Sequence, residues 1–148
     1  MQLHLEGSNS IGSGKEKVFA LLTDPNFLAK SLPEAEDVKV LDSESLEAKL
    51  KLRVALVSSS LRMKMTVSGK EPPSKAVLLA DGSGAGSSIR IKSTFSLEGD
   101  SPTVMRWSAD AEITGVMAGL GSSLLKGFAT KKVAEIFEGI TKAIESSA

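Results

Sequence analysis

Residues 46–67 read LEAKLKLRVALVSSSLRMKMTV. In the first half Leu46, Ala48, Leu50, Leu52, Val54 and Leu56 alternate with Glu47, Lys49, Lys51 and Arg53. After a serine run, Leu61, Met63, Met65 and Val67 alternate with Arg62, Lys64 and Thr66. A period of two is the mark of a strand with one face in a core and one in water. Two such runs back to back predict a hairpin, and the pattern spreads outward from it. Pro72-Pro73 turns the chain into 76–80, and Gly82 to Gly86 leads into Ile89, Ile91, Phe95 and Leu97. Residues 100–103 turn into Met105, Trp107, Ala109, Ala111 and Ile113. Upstream, 38–41 supplies a further strand, and Leu3, Leu5 and Ile11 place another at the start with Gln2, His4, Glu6, Ser8 and Ser10 on its wet side. About seven strands joined by short turns predict an antiparallel meander.

Helical signals interrupt this pattern twice. Ser13 and Glu16 have capping-box spacing ahead of Val18, Phe19, Leu21 and Leu22. Asp24-Pro25 reads as a cap followed by proline at a first helical position, with Pro33 as the stop. At the far end Leu125, Ala129, Val133, Ile136, Phe137, Ile140 and Ile144 recur at three and four, the stripe of an amphipathic helix. Lys131 with Glu135, and Glu138 with Lys142, are i,i+4 pairs on its wet side. Read as starting near Val116, this helix would run about 43 Å at 1.5 Å per residue. A one-sided curved sheet and a one-sided helix must cover each other. The expected fold is therefore α+β: a sheet of about seven antiparallel strands wrapped around a long C-terminal helix, with two short helices after the first strand. This is the helix-grip arrangement, as one domain over 1–148 with no linker or repeat.

Composition narrows the function. A chain of 148 residues buries about 70% of its unfolded surface and needs no staple. It has no cysteine, which removes disulfides, thiolate metal sites and cysteine nucleophiles. Eighteen acidic and eighteen basic residues cancel, and five Phe, one Trp and no Tyr offer little for stacking on bases, so composition argues against nucleic acid. The N-terminus lacks the pattern of a signal peptide, and no run approaches the roughly 18 apolar residues of a membrane span.

Candidate chemistry is sparse. His4, the single histidine, falls on a wet strand face, where it cannot serve a buried nucleophile. With no Cys, and acids spread over wet faces and loops, no metal is expected. Gly82-Ser83-Gly84-Ala85-Gly86 resembles a phosphate loop only in composition, because a strand follows it and no Lys does. It reads as a hairpin. Met63, Met65, Met105 and Trp107 fall on inward faces, where methionine suits ordinary packing and an adaptable binding surface alike. Gly115, Gly119, Gly121 and Gly127 cluster where the long helix begins, although glycine costs about 1 kcal/mol there relative to alanine. They leave room for a ligand between helix and sheet, or else mark the stretch to Gly121 as partly loop.

Several motifs together resemble one known family. They are Asp24-Pro25 with Leu32-Pro33, Pro72-Pro73, the 82–86 glycine run, 103–107, and above all Thr114-Gly115-Val116-Met117-Ala118-Gly119-Leu120-Gly121. The chain resembles the G-subunit family of carbon monoxide dehydrogenase, within the START-like superfamily of polyketide cyclases and lipid transport proteins. Glu34 departs from the glycine usual after that Leu-Pro. The chain also ends at Ala148, where longer members carry an extension for membrane attachment. The expected location is cytoplasmic, with peripheral contact to the inner face of the membrane as the alternative.

The resemblance implies a non-catalytic accessory protein beside a molybdenum hydroxylase-type dehydrogenase, with a cavity for a hydrophobic small molecule such as a quinone or lipid, and no cofactor of its own. The inward faces assign that cavity to Leu50, Leu52, Val54, Met63, Met65 and Val67 on the hairpin. Ile91, Phe95, Trp107 and Ala111 would line it from later strands, and Leu120, Leu124 and Phe128 from the helix. Two rivals stand beside this reading: a superfamily cyclase or hydrolase, which would need acid/base groups inside where only Asn9 and Ser93 are polar, and a purely structural assembly subunit. Residues 34–47 carry six acids against one Lys, and 49–75 seven bases against one Glu. With the apolar residues inward, Lys49, Lys51, Arg53, Arg62, Lys64, Arg90 and Lys92 face out as a candidate docking face for an acidic partner or anionic headgroups.

Overall fold

The computed structural model describes residues 1–31, 35–54 and 57–147, the side chains at 54, 57 and 59 excepted. In chain order the elements are β1 (Gln2–Ile11), α1 (Lys15–Leu22), α2 (Pro25–Ser31), β2 (Ala35–Val40), β3 (Ser45–Val54), β4 (Val57–Glu71), β5 (Lys75–Gly84), β6 (Ser87–Glu98) and β7 (Thr103–Gly115). A 3₁₀ turn over Val116–Leu120 follows, and then α3 (Ser122–Ser146). All seven strands form one antiparallel sheet in the order β1-β7-β6-β5-β4-β3-β2. Six strands thus form the expected meander, and the first strand closes on the last. The expected second-helix stop at Pro33, the Leu32-Pro33 motif and Leu56 lie outside the described residues.

The period-two pattern fixes which face is inside. Leu46, Ala48, Leu61, Met63 and Val67 are buried, while Lys51, Arg53, Arg62 and Lys64 between them are exposed. Slipping any strand by one residue would exchange the two sets. The β5–β6 hairpin turns through Ala85 and Gly86 at φ 50 and 77, the paired positive values of a two-residue hairpin loop. Gly82 is needed opposite Met63: a Cβ there would lie 1.9 Å from the Met63 Sδ.

Two helix starts differ from expectation. Ser13 does not cap α1, whose N-cap is Gly14 without a side-chain bond. Instead the Lys15 N–H donates to Asp100 Oδ1 from the β6–β7 turn (3.0 Å), and the buried Thr103 hydroxyl donates to the Ser13 carbonyl (2.7 Å). The orphan donor is satisfied across the fold rather than locally. By contrast the start at Asp24-Pro25 is local as expected, the Asn26 N–H donating to Asp24 Oδ1 at 2.9 Å.

The long helix is the second to differ: it begins at Ser122, not Val116, and so runs about 37 Å. Backbone geometry ends the earlier turn: Gly115 and Gly121 have φ 88 and 92, outside the helical range. A Cβ on Gly115 would meet the Gly86 carbonyl at 2.0 Å, so the turn lies tight against the β5–β6 hairpin. The Val116 N–H to Gly86 O (3.1 Å) and Met117 N–H to Ser87 Oγ (3.0 Å) hydrogen bonds hold it there. Of the four glycines assigned to the helix start, only Gly127 lies within α3.

Candidate functional site

Two apolar clusters bind the helix to the sheet, one at each end. The first joins α1 and α2 (Val18, Phe19, Leu22, Leu28) to Phe95, Leu97 and Met105, and holds α3 by Ile140 and Ile144. The second joins Leu3, Leu61, Met63 and Ile113 to Met117 of the 3₁₀ turn, and holds α3 by Leu125. At the C-terminal end the Gly12 N–H also donates to Glu145 Oε2 (2.7 Å), and Lys17 Nζ to the Ser147 carbonyl.

Between the clusters the packing thins. Leu5, Ile91 and Ala109 on the sheet, and Ala129 and Val133 on α3, are half-buried and belong to neither cluster. Across the strands the register sets Leu5 beside Ala109, Ala109 beside Ser93, and Ser93 beside Leu78. The next row runs Leu3, Ala111, Ile91, Ala80, Met65. Ala109, Ser93, Ala111 and Ala80 thus give these rows a small-residue surface. Apolar groups remain within reach of solvent in the middle of the fold, where a core built only for stability would be closed to a packing density of about 0.75.

A groove lies on each flank of α3. On the β3 side is a groove of about 710 Å³ lined by Ala35, Glu36, Lys51, Arg53, Phe128, Lys131, Lys132 and Glu135. On the β1 side is one of about 540 Å³, whose lining includes Leu5, Gly7, Asn9, Trp107, Lys126, Ala134 and Phe137. Trp107 anchors the second. Its ring packs on Phe137 (centroids 4.9 Å apart), its Nε1–H donates to Asn9 Oδ1 (3.3 Å), and it lies over Gly7, where a Cβ would be 2.8 Å from the indole. In the sequence Phe137 is visible only as part of a helical stripe. Its contact with Trp107, itself read as inward-facing, has no sequence signature.

Most of the expected cavity residues are at least half-buried. Leu50, Leu52, Met65, Ile91, Trp107, Ala111, Leu120 and Phe128 are half-buried on the inner side, and Met63, Val67 and Phe95 are fully buried in the end clusters. The side chain of Val54 lies outside those described. Leu124 requires correction: it is 43% exposed, because α3 starts at Ser122 with a phase that turns Leu125, 2% exposed, inward instead.

The candidate docking face is also redistributed. Among the described residues, pairing between β2 and β3 runs from Val40 opposite Leu46 to Ala35 opposite Leu50. Lys51 and Arg53 line the groove against α3. Arg90 lies opposite Asp81 and Glu112, with its Nε 3.1 Å from Asp81 Oδ1, and Lys92 lies opposite Asp110. Lys64 lies opposite Glu47 and Asp81, and Lys49 between Glu36 and Arg62. Acids from neighbouring strands thus interleave with the bases, a pattern that only the register reveals. On α3, Glu138 pairs with Lys142 as expected (3.1 Å), but Glu135 pairs with Lys132 (3.5 Å) rather than Lys131.

Among the described residues, no cluster of side chains could hold a metal ion, and no helix is long and apolar enough to cross a membrane. The inward face of the described sheet carries no titratable side chain.

A curved seven-stranded sheet gripping a C-terminal helix, with two short helices between the first and second strands, defines a START-like protein. A START superfamily protein from Mycobacterium smegmatis has the same fold (TM-score 0.65, 15% identity, 96% of this chain and 94% of that one). So does the Zhui aromatase/cyclase from Streptomyces (0.69, 11%, 98% and 94%). A conserved protein from Geobacillus kaustophilus is more similar, at TM-score 0.86 and 25% identity over 96% of this chain and 95% of that one. No curated protein matches the sequence. Residues 7–145 match the family model of the carbon monoxide dehydrogenase G subunit, and the chain belongs to that family, CoxG.

Proposed function

We propose that this protein is a non-catalytic accessory subunit that holds a hydrophobic small molecule, quinone- or lipid-like, in the thinly packed middle of the groove between sheet and α3. It would serve a dehydrogenase of the carbon monoxide dehydrogenase type. The observation that carries the proposal is the belt of half-buried apolar side chains, Leu5, Ile91, Ala109, Ala129 and Val133, between two sealed clusters. Such a surface favours an apolar occupant by about 25 cal/mol for each Å² it covers. The cyclase reading has fold likeness on its side. General acid/base work needs a titratable group aimed at the substrate, however, and the described inward polar side chains of the sheet are not titratable: Asn9 is bonded to Trp107, Thr103 to the Ser13 carbonyl and Ser87 to the Met117 N–H, and Ser93 is a hydroxyl. For the protein partner, the proposed docking corner contracts to Lys49, Arg62 and Lys64.

Trp107 reports on the site. A short-chain menaquinone should quench its fluorescence saturably, and Ala109→Phe, which fills the belt, should weaken that quenching severalfold while leaving the fold intact. Absence of saturable quenching by apolar ligands would overturn the binding reading and leave a purely structural subunit.

A further inference from the structure

The two flanking grooves differ in charge. The β1-side groove brings one lysine, Lys126, together with His4 and Glu6. Among the described residues, the β3-side groove gathers four cations, Lys51, Arg53, Lys131 and Lys132, against two carboxylates, Glu36 and Glu135. Both carboxylates are engaged: Glu36 with Lys51 at 3.2 Å and Glu135 with Lys132 at 3.5 Å. Among the described residues, neither Arg53 nor Lys131 has a carboxylate within ion-pair distance. They line the groove from opposite walls, one on β3 and the other on α3. Behind them Leu50, Leu52 and Phe128 are half-buried in the same apolar cluster. Stability alone does not require such an arrangement, since two cations facing across a groove with no partner among the described residues repel.

We infer that the β3-side groove receives the head of an anionic amphiphile, a carboxylate or phosphate held between Arg53 and Lys131, with its alkyl chain running past Phe128 into the apolar middle. The guanidinium offers a planar fork matched to either oxyanion, and the ammonium a point charge from the facing wall. This inference rests on the proposed binding of an apolar molecule and adds the charge of its head and the side from which it is held.

The test displaces protein-bound Nile red with three probes of one chain length: dodecanoate, dodecyl phosphate and dodecan-1-ol, each below its micellar concentration. In the wild-type protein at least one anion should displace the dye at roughly tenfold lower concentration than the alcohol, the worth of a charge-assisted hydrogen bond. Whichever anion leads identifies the head. In the double variant Arg53→Gln, Lys131→Gln, that preference should vanish with the alcohol unchanged. Both positions are exposed, so the variant should fold, and Arg53→Glu provides a second reading in which the anions should bind more weakly than the alcohol. Equal displacement by alcohol and anions in the wild type, or a preference that survives the double variant, overturns the inference and leaves apolar binding intact. Failure of Nile red and all three probes to bind overturns both.

Discussion

His4 shows how much one exposed side chain can depend on register. Its Nδ1 lies 2.7 Å from Asp110 Oδ1 on β7, and its Nε2 lies 3.1 Å from Glu6 Oε2 on its own strand. A neutral imidazole has one N–H and can donate to only one of them; the imidazolium donates to both. The hydrogen bond to Asp110, then that to Glu6, raises its pKa above the ordinary 6.5, against the smaller cost of desolvation. Arg90 and Lys92 line the same hollow of the sheet. Because the folded-state value is raised, the stabilisation is complete below about pH 6.5 and is lost as pH rises through the folded value. An NMR titration of the ring should show a midpoint above 6.5, and Asp110→Asn should lower it. A midpoint at or below the ordinary value would refute this account. The sequence placed His4 correctly in water, but its partner 106 residues away is set by pairing and invisible to periodicity.

At the scale of elements, α3 is a beam held at its ends. Leu125, Ile140 and Ile144 are 2%, 4% and 0% exposed, whereas the inward side chains between them are only half-buried. Leu125→Ala should therefore cost about 2–5 kcal/mol, while the neighbouring Leu124→Ala, in water, should stay within about 0.5 kcal/mol. Urea denaturation of the two variants checks this, and similar losses from both would mean that the helix phase is wrong. The strands and the body of this helix were legible because periods of two and three to four are written into each local run. The helix start was legible only as an alternative: the glycines marked the stretch to Gly121 as partly loop, and a 3₁₀ turn with φ 92 at Gly121 bears that out. The Asp100 cap on α1 was hidden, because it comes from a loop 85 residues downstream. The open middle was legible only as a list of inward residues. Whether small side chains meet small ones depends on four strand registers at once.

For the molecule as a whole, net charge zero conceals an outer face in which signs alternate from strand to strand. Most bases there have an acid opposite, and Lys49 beside Arg62 is the exception where two bases meet. If that corner steers the protein to an acidic partner, Lys49→Gln with Arg62→Gln should slow association severalfold at low salt. The difference should fade once the Debye length drops to about 3 Å near 1 M. An association rate unchanged at low salt would remove the corner from the proposal. The pairing of β1 with β7 has a further consequence, which concerns biosynthesis. A ribosome adding about 5–20 residues per second needs on the order of 5–20 s to make the hundred or so residues that separate these strands. Throughout that interval the first of the seven strands to leave the exit tunnel has no partner. The other six can pair as each follows its predecessor, so the meander can assemble during translation. The grip on the helix must wait for its completion, and a nascent chain stalled before Thr103 would display an unpaired strand to whatever chaperone or neighbour reaches it first.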